Sequence, residues 1–404
     1  MQIAIIGGGA AGFFSAITAK ENHPKAEVFI FEKSKKVLAK VKISGGGRCN
    51  VTNGETSIKK LTDAYPRGNK LLKKLFPIFS TKDTIDWFES RGVKLITQAD
   101  NCVFPRSQDA QSIIDCFLME TKRLGIKIIL GKGVKKIIPG KKHLKLNFQN
   151  DAPPLSFDKV IVTTGGAPKR KGLIWLEDLG HKIAPPVPSL FTFNMPKEPI
   201  TKLMGVVIEE TQVSIQGTKL KSAGPLLITH WGMSGPAILK LSAFGARILS
   251  EKEYRCTLQV NWANERNNEA VNNYLNDLIK EHPKKILANI HPYQLKDRLW
   301  LHLLYKCELS EKKKWSELGK KGINKLVNIL THDTYSVRGK TTFKEEFVTC
   351  GGISLDSIHP KTLESRVCKN LYFAGEILDI DGITGGYNFQ AAWTTGFVAG
   401  KLVS

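Results

Sequence analysis

The feature that most constrains the fold of this chain is a glycine-rich turn, Gly7-Gly8-Gly9-Ala10-Ala11-Gly12, which directly follows a short apolar segment. Residues 2–6 predict a buried strand and residues 13–21 predict a helix, so the glycines join a strand to a helix. Residues 28–31 predict a second strand that ends at Glu32, about 20 residues after the turn. Strand, helix and strand in this order form a βαβ unit, which opens a parallel sheet.

The spacing of Gly7, Gly9 and Gly12 is the G-x-G-x-x-G pattern of dinucleotide-binding folds. Glycine lets the backbone turn tightly and approach a pyrophosphate, and the helix N-terminus supplies N–H donors. A carboxylate at Glu32 accepts a hydrogen bond from a ribose hydroxyl, which favours an unphosphorylated adenosine ribose, as in FAD or NAD. The complete βαβ unit with its acid disfavours the alternative of a glycine-rich turn without a ligand.

Two further segments point to the same chemistry. Residues 44–50, Ser-Gly-Gly-Gly-Arg-Cys-Asn, expose backbone donors and add the planar guanidinium of Arg48, with a flexible loop as the alternative. Near the C-terminus a strand at 370–374 ends in Gly375-Glu376, and residues 381–390 lead into a helix at 388–402. A helix N-terminus there would stabilise negative charge on a reduced flavin ring.

These motifs carry a family resemblance. The opening turn, Ser44–Asn53, Val103-Phe104-Pro105, Thr229–Pro236 and residues 370–400 closely resemble the bacterial NAD(P)/FAD-dependent, aminoacetone oxidase-like oxidoreductases. The resemblance implies an α/β protein: a Rossmann-like FAD-binding domain of the glutathione-reductase type with inserted β-barrel-like and helical domains. The predicted domains are an FAD-binding domain (residues 1–188 and 345–404), a β-rich domain (189–263 and 332–344) and a helical domain (264–331).

The resemblance also implies which residues bind FAD. The pyrophosphate would lie on the opening turn, the adenosine on Glu32 and Val134, the ribityl chain near Gly375-Glu376, and the flavin ring near residues 386–390. The residues expected to bind FAD are Gly7, Gly9, Ala10, Ala11, Gly12, Glu32, Lys33, Lys40, Ser44, Gly45, Gly46, Arg48, Cys49, Asn50, Val134, Thr164, Gly165, Gly166, Gly375, Glu376, Gly386, Tyr387, Asn388 and Gln390.

The chain has no second complete G-x-G-x-x-G with its acid, so NAD(P)H, as the electron donor, is expected to dock transiently over the flavin. His230, Cys49 and Cys350 are weak catalytic candidates, and packing or structural roles are the simpler alternative for all three.

The seven cysteines form no C-x-x-C pair and the nine histidines have no metal-ligand spacing, which favours a reducing cytoplasm and no metal site. No apolar segment is long enough to span a membrane.

The charge of the chain bears on its partners. Lys and Arg number 60 against 37 Asp and Glu, a formal net charge of +23. The basic clusters fit an RNA backbone, here ribosomal RNA, whereas solvated faces or a generally basic proteome are the alternatives. The lysines expected to contact RNA are Lys132, Lys135, Lys136, Lys141, Lys142, Lys145, Lys312, Lys313 and Lys314.

The resemblance implies three activities: reduction of enone-type steroids, oxidation of aminoacetone, and reduction of a large-subunit rRNA uridine to dihydrouridine. Enone and uridine reduction share one chemistry, in which hydride adds to the β-carbon of an α,β-unsaturated carbonyl and a proton adds to the α-carbon. Because of the charge, the rRNA uridine is the preferred substrate. The alternatives are a small-molecule flavin oxidase or reductase and a non-enzymatic, flavin-bound RNA-binding factor.

Overall fold

The computed structural model describes residues 1–149, 152–341 and 348–403. Within them the chain divides into two compact units. The first unit is built from both ends of the chain, residues 1–189 and the described residues from 348 onward, and the second from residues 190–341. Each unit has its own apolar core. The β-rich and helical regions that the sequence separated into two domains therefore fall within one unit.

The described strands, in chain order, are β1 (Gln2–Ile6), β2 (Glu27–Phe31), β3 (Thr52–Asn53), β4 (Leu95–Thr97), β5 (Cys102–Pro105), β6 (Lys127–Ile129), β7 (Val134–Pro139), β8 (Leu144–Phe148), β9 (Leu155–Phe157), β10 (Lys159–Val162), β11 (Ile183–Ser189), β12 (Thr192–Asn194), β13 (Val207–Ile215), β14 (Lys221–Thr229), β15 (Gly232–Ser234), β16 (Arg255–Asn261), β17 (Asp333–Arg338), β18 (Lys340–Thr341), β19 (Val348–Ile353) and β20 (Leu371–Phe373). The helices are α1 (Ala10–Asn22), α2 (Ala39–Ile43), α3 (Ile58–Asp63), α4 (Asn69–Leu75), α5 (Thr81–Glu89), α6 (Gln111–Arg123), α7 (Ile174–Glu177), α8 (Pro236–Phe244), α9 (Ala246–Glu251), α10 (Asn268–Glu281), α11 (Asp297–Lys306), α12 (Gly319–His332) and α13 (Tyr387–Gly400).

The first unit is organised around a parallel sheet in the strand order β20-β10-β1-β2-β6. Residues 3–6 of β1 are all buried, which fits a central strand that is covered on both faces. Helix α1 packs closely on α13, because a Cβ on Gly396 would lie 3.0 Å from the carbonyl oxygen of Ala11. This arrangement confirms the predicted Rossmann-like fold and its opening βαβ unit.

Smaller antiparallel sheets complete the first unit: β3-β5-β4, β7-β8-β9 and the pair β11-β19. The run Pro185–Pro188, where the sequence changes character, lies inside β11. Proline is tolerated there because β11 pairs only with β19 and the pairing is irregular between Ala184 and Val187.

The second unit contains an antiparallel sheet in the order β17-β16-β13-β14-β15-β12-β18. The part predicted to be β-rich, residues 189–263, also contains two helices that the sequence did not predict, α8 and α9. Periodicity cannot separate a short buried helix from a strand, and the apolar residues of α8 therefore gave no helical signal. The sequence of Thr341–Val348 also predicts a strand. Most of that strand, and the predicted domain boundary at 344/345, lie outside the described residues.

Among the described helices, none combines the length and the apolar character that crossing a membrane requires.

Candidate dinucleotide-binding site

The glycines of the opening turn serve three different purposes. A Cβ on Gly7, whose φ is +116°, would lie 2.5 Å from the carbonyl oxygen of Thr163, and one on Gly12 would lie 1.9 Å from the carbonyl oxygen of Gly7. A Cβ on Gly9 would meet nothing within 4 Å. Gly7 and Gly12 therefore allow the strand and helix to pack, whereas Gly9 leaves open space in front of α1.

That open space lies at a helix N-terminus. Helix α1 begins after Gly9, and no side chain caps its first backbone N–H groups. The Thr163 hydroxyl donates to the carbonyl oxygen of Gly7 at 2.9 Å, which fixes the turn from the neighbouring strand β10. Uncapped N–H donors at the positive end of a helix dipole fit a pyrophosphate, so the residues present suit a dinucleotide.

Glu32 lies at the end of β2, beside the turn. Its carboxylate accepts hydrogen bonds from the backbone N–H of Gly8 at 2.8 Å and of Ser34 at 2.8 Å. A carboxylate has about four acceptor positions, so capacity remains for ribose hydroxyls. A Cβ on Gly133 would lie 3.1 Å from the Cβ of Lys33. The fold thus brings Lys33 and the start of β7 next to Glu32, and their contact with the adenosine stays a prediction.

A second cluster forms around Glu376. Its Oε2 is 3.0 Å from the Nζ of Lys40, and its Oε1 accepts from the backbone N–H of Thr349 at 2.8 Å. A Cβ on Gly166 would lie 2.5 Å from Glu376 Oε1 and 2.4 Å from Thr349 Oγ1. Four segments that are distant in sequence therefore meet at one point.

Thr349 is the residue in this cluster that the sequence did not indicate. Its side chain is fully buried, and its Oγ1 has no hydrogen-bond partner within the part of the chain that the structure describes. An unpaired buried hydroxyl is costly, and a ribityl hydroxyl or a phosphate oxygen would satisfy it. Thr349 Oγ1 is therefore a second observation that fits FAD.

The turn after β20 connects this cluster to the opening turn. Gly375 has a φ of +78°, and a Cβ there would lie 2.7 Å from the Cβ of Ala11. Its backbone N–H donates to the Thr395 hydroxyl of α13 at 2.8 Å. Only glycine fits this close approach to α1.

The glycine loop at 44–50 is tied to the C-terminal segment. Gly45, Gly46 and Gly47 all have positive φ, from 57° to 85°, and the guanidinium of Arg48 stacks over the ring of Phe104 at 4.3 Å. The Asn50 amide lies between the carbonyl oxygen of Thr52, at 2.9 Å, and the backbone N–H of Gly386, at 3.1 Å. The loop and the start of α13 therefore hold each other in place.

Gln390 and Asn388 were expected to lie beside the flavin. The amide of Gln390 is fully buried and meets three hydroxyls, of Thr52 at 2.5 Å, Thr84 at 2.9 Å and Thr394 at 2.9 Å. Asn388 exchanges two hydrogen bonds with the backbone of Gly382, at 2.9 and 3.0 Å. Gln390 therefore ties α13 to β3 and α5, and Asn388 stabilises the segment before α13. Contact of either side chain with a flavin stays a prediction.

A buried ion pair fixes the same segment. Asp381 is fully buried, and its carboxylate pairs with the guanidinium of Arg67 and accepts from the Ser189 hydroxyl at 2.7 Å. Burial raises the pKa of Asp381, whereas Arg67 and Ser189 oppose that shift. No local pattern predicts this contact, because Arg67, Ser189 and Asp381 come from three separate segments.

The three catalytic candidates have different surroundings. Burial raises the pKa of the Cys49 thiol to about 12, so it remains protonated at neutral pH. Cys350 is also fully buried, in β19. His230 is exposed and lies in the second unit, with its ring 4.0 Å from that of Trp231.

The comparisons with known proteins cover the whole chain. Residues 1–402 match the family described as HI0933-like protein Rossmann domain. The chain is 29% identical over 421 residues to 3-dehydro-bile acid delta(4,6)-reductase of Clostridium scindens, covering 100% of this chain and 99% of that protein. It is 28% identical over 411 residues to ribosomal RNA dihydrouridine synthase of Haemophilus influenzae, covering 99% and 98% of the two chains.

Solved structures share the fold at lower identity. A 3-ketosteroid-delta4-(5alpha)-dehydrogenase from Rhodococcus jostii is 11% identical with a TM-score of 0.50, over 98% of this chain and 96% of that one. The FrdA subunit of Escherichia coli quinol fumarate reductase is 16% identical with a TM-score of 0.50, over 99% of this chain and 69% of that one.

Proposed function

Since the chain belongs to the HI0933-like family of Rossmann-domain proteins and is an FAD-dependent oxidoreductase, we propose that it reduces a carbon–carbon double bond conjugated to a carbonyl, with a uridine of large-subunit rRNA as its preferred substrate. The observation that carries the proposal is a site suited to FAD in a chain that aligns end to end with relatives named as a delta(4,6)-reductase and an rRNA dihydrouridine synthase. Both names describe saturation of a conjugated double bond.

The chain's own residues bind and orient the cofactor. The uncapped N–H groups of α1 would bind the pyrophosphate, Glu32 would accept a hydrogen bond from the adenosine ribose, and the Thr349 hydroxyl would donate one to a cofactor oxygen. When bound in its reduced form, FAD supplies the hydride that adds to the β-carbon of the substrate, which is C6 in uridine. The balancing proton adds to C5, and NAD(P)H is the proposed source of the two electrons.

Charge favours RNA over a small metabolite as the substrate. A net charge of +23 attracts phosphate backbones and raises the rate of encounter with them. A small enone is the second candidate, because the relative from Clostridium scindens is named as a bile acid reductase. Aminoacetone oxidation has no comparable support among these relatives.

The decisive experiment is mass spectrometry of rRNA nucleosides from a deletion strain. The dihydrouridine of large-subunit rRNA should disappear in that strain and return when the wild-type gene is restored. Unchanged dihydrouridine would overturn the rRNA substrate. Anaerobic reoxidation of the reduced enzyme by a steroid enone, but not by rRNA, would then establish the second candidate.

The electron donor is tested with the purified protein. Under anaerobic conditions, NADH or NADPH should bleach the flavin absorbance, and the faster of the two identifies the donor. Glu32 is assigned to the ribose of FAD and does not discriminate between the two donors, so each donor is measured separately. Bleaching by neither one would contradict the proposed NAD(P)H dependence.

A further inference from the structure

The fold assembles a large basic surface that the sequence shows only in part. The backbone N–H of Gly131 donates to the carbonyl oxygen of Ser34 at 3.0 Å, and that of Lys132 donates to the carbonyl oxygen of Glu32 at 2.9 Å. These bonds place the loop after β2 against the start of the β7-β8 hairpin. We call the result the lysine surface; its members are Lys33, Lys35, Lys36, Lys132, Lys135, Lys136, Lys141, Lys142 and Lys145.

The β7-β8 hairpin packs against the core of the first unit. Its inner residues, among them Ile137, Leu146 and Phe148, belong to the core of the first unit. The ring of Phe148 lies 5.3 Å from that of Phe31 in β2. The lysines are therefore presented by a packed sheet rather than by a free loop.

A β-bulge increases the number of lysines that face outward. Val134 pairs with Phe148 and Lys136 pairs with Asn147, so Lys135 is an extra residue in β7. Strict alternation would turn one of two consecutive residues inward, but both Lys135 and Lys136 are exposed. Lys136 and Lys145 share the outer face as diagonal neighbours, about 7–8 Å apart.

The acids beside the lysine surface are engaged elsewhere, because Asp158 pairs with His143 at 2.9 Å and Glu32 accepts from the backbone N–H of Gly8 and Ser34. No ion pair joins any of its nine lysines to an acid among the described residues, and residues 131–149 contain no acid. By contrast, Lys312–Lys314 lie between Glu311 and Glu317, and the backbone N–H of Lys314 bonds to Glu317 at 3.2 Å. Like charges repel at short range, so a surface that keeps them unpaired fits a polyanionic partner.

We propose that the lysine surface is a docking site for the phosphate backbone of RNA, an inference that rests on the proposed rRNA substrate. Lysine provides strong but sequence-independent contacts with phosphates, which suits positioning of a large RNA while the flavin site acts on a single base. Ile138, exposed among the lysines, makes an anionic membrane surface the competing partner.

The test compares two variants with equal loss of charge. The first replaces Lys35, Lys136, Lys142 and Lys145 with Gln. The control replaces Lys60, Lys82, Lys127 and Lys280 with Gln; all four are more than half exposed and already paired with acids. Exposed surface pairs of this kind contribute little to stability, so both variants should fold and bind FAD as the wild type does.

Binding of an rRNA fragment is measured by fluorescence anisotropy from 50 to 300 mM salt. Each lost phosphate contact lowers the slope of log K against log salt by roughly 0.7–0.9, so four contacts lower it by about 3. We expect this decrease, with at least tenfold weaker binding, in the first variant only. Equal changes in both variants, or binding by the wild type to phosphatidylserine vesicles but not to RNA, would overturn the docking site.

Uridine reduction separates this inference from the proposed function. If the wild type does not reduce the rRNA fragment, the proposed function fails, while the anisotropy still decides whether the lysine surface binds RNA. If the wild type reduces the fragment and the first variant retains its kcat/KM, the docking site is wrong and the proposed function stands. A normal kcat with a raised KM in the first variant supports both.

Discussion

Thr349 shows that sequence motifs identify only some of the residues of a site. Its neighbours in the cluster are Lys40, Gly166 and Glu376, which come from three other segments of the chain. A threonine near the start of a strand is common, so nothing local distinguishes it. Burial without a partner is the signal that identifies it, and only the folded chain shows that signal.

Thr349→Val should weaken FAD binding while leaving the apoprotein folded. The change removes the hydroxyl and keeps the shape, so the loss of one hydrogen bond, about 0.5–1.5 kcal/mol, raises the FAD dissociation constant up to roughly tenfold. Flavin fluorescence titration measures this change.

The matched control is Ser15→Ala, because Ser15 Oγ is also buried and without a partner among the described residues. It faces α13, and an unaltered affinity is expected; equal affinities for both variants would contradict the role of Thr349.

His181 should make the first unit sensitive to acid. Its ring is buried, with Nδ1 3.0 Å from the carbonyl oxygen of Leu176 and Nε2 2.8 Å from the hydroxyl of Ser365. Burial lowers the pKa of His181 below 6.5, and the bond to Leu176 only partly opposes this shift. The imidazole of His181 therefore binds a proton more tightly in the unfolded chain than in the folded protein. The neutral ring stabilises the fold above pH 6.5, and this contribution is lost as the pH falls through the pKa of His181 in the folded protein. Melting temperatures from pH 5 to 8 should fall more steeply in acid for the wild type than for His181→Gln, and parallel curves would exclude this effect.

At the scale of elements, local patterns predicted those parts of the fold that local chemistry determines. The opening βαβ unit and helix α13 follow from apolar periodicity and glycine placement, and the structure confirms them. Helices α8 and α9 were not predicted, because α8 is short and mostly apolar and α9 has only six residues, too few to show a helical period. The meeting of Lys40, Gly166 and Thr349 at Glu376 could not be predicted from spacing alone, since these segments are brought together only by the fold.

Two glycines of the opening turn should respond in opposite ways to alanine. A Cβ in Gly12→Ala would collide with the backbone of Gly7, so this variant should lose about 1–3 kcal/mol of stability or more. Gly9 has extended backbone angles, φ −95° and ψ −168°, and open space around it, so Gly9→Ala should fold normally. Its methyl group would occupy the pyrophosphate position and weaken FAD binding at least tenfold. Thermal unfolding of the apoproteins and flavin titration measure the two effects, and normal FAD affinity in Gly9→Ala would contradict the assigned site.

For the molecule as a whole, the division into two cores limits what FAD can stabilise. All the residues that fit FAD here, from Gly9 to Glu376, belong to the first unit, whereas the second unit is closed around its own core. The net charge of +23 belongs to the whole chain and lysines occur in both units, but the lysine surface lies on the first unit. The first unit therefore contains both the residues that fit FAD and the proposed RNA contact. The sequence predicted six of the nine lysines of that contact, but not that the loop after β2 lies beside them.

FAD should accordingly protect one unit and not the other. At 100 times its dissociation constant, a ligand that binds only the native state contributes about 2.7 kcal/mol, which slows amide exchange through unfolding by roughly 100-fold. Hydrogen-exchange mass spectrometry of the apoprotein with and without FAD should show this protection in β1, α1, β20 and α13, all in the first unit. Peptides from the core of the second unit, such as those of α12 and β16, should exchange at unchanged rates. Equal protection of both sets would mean that the two units unfold as one, and protection of the second set alone would contradict the assignment of the cofactor site.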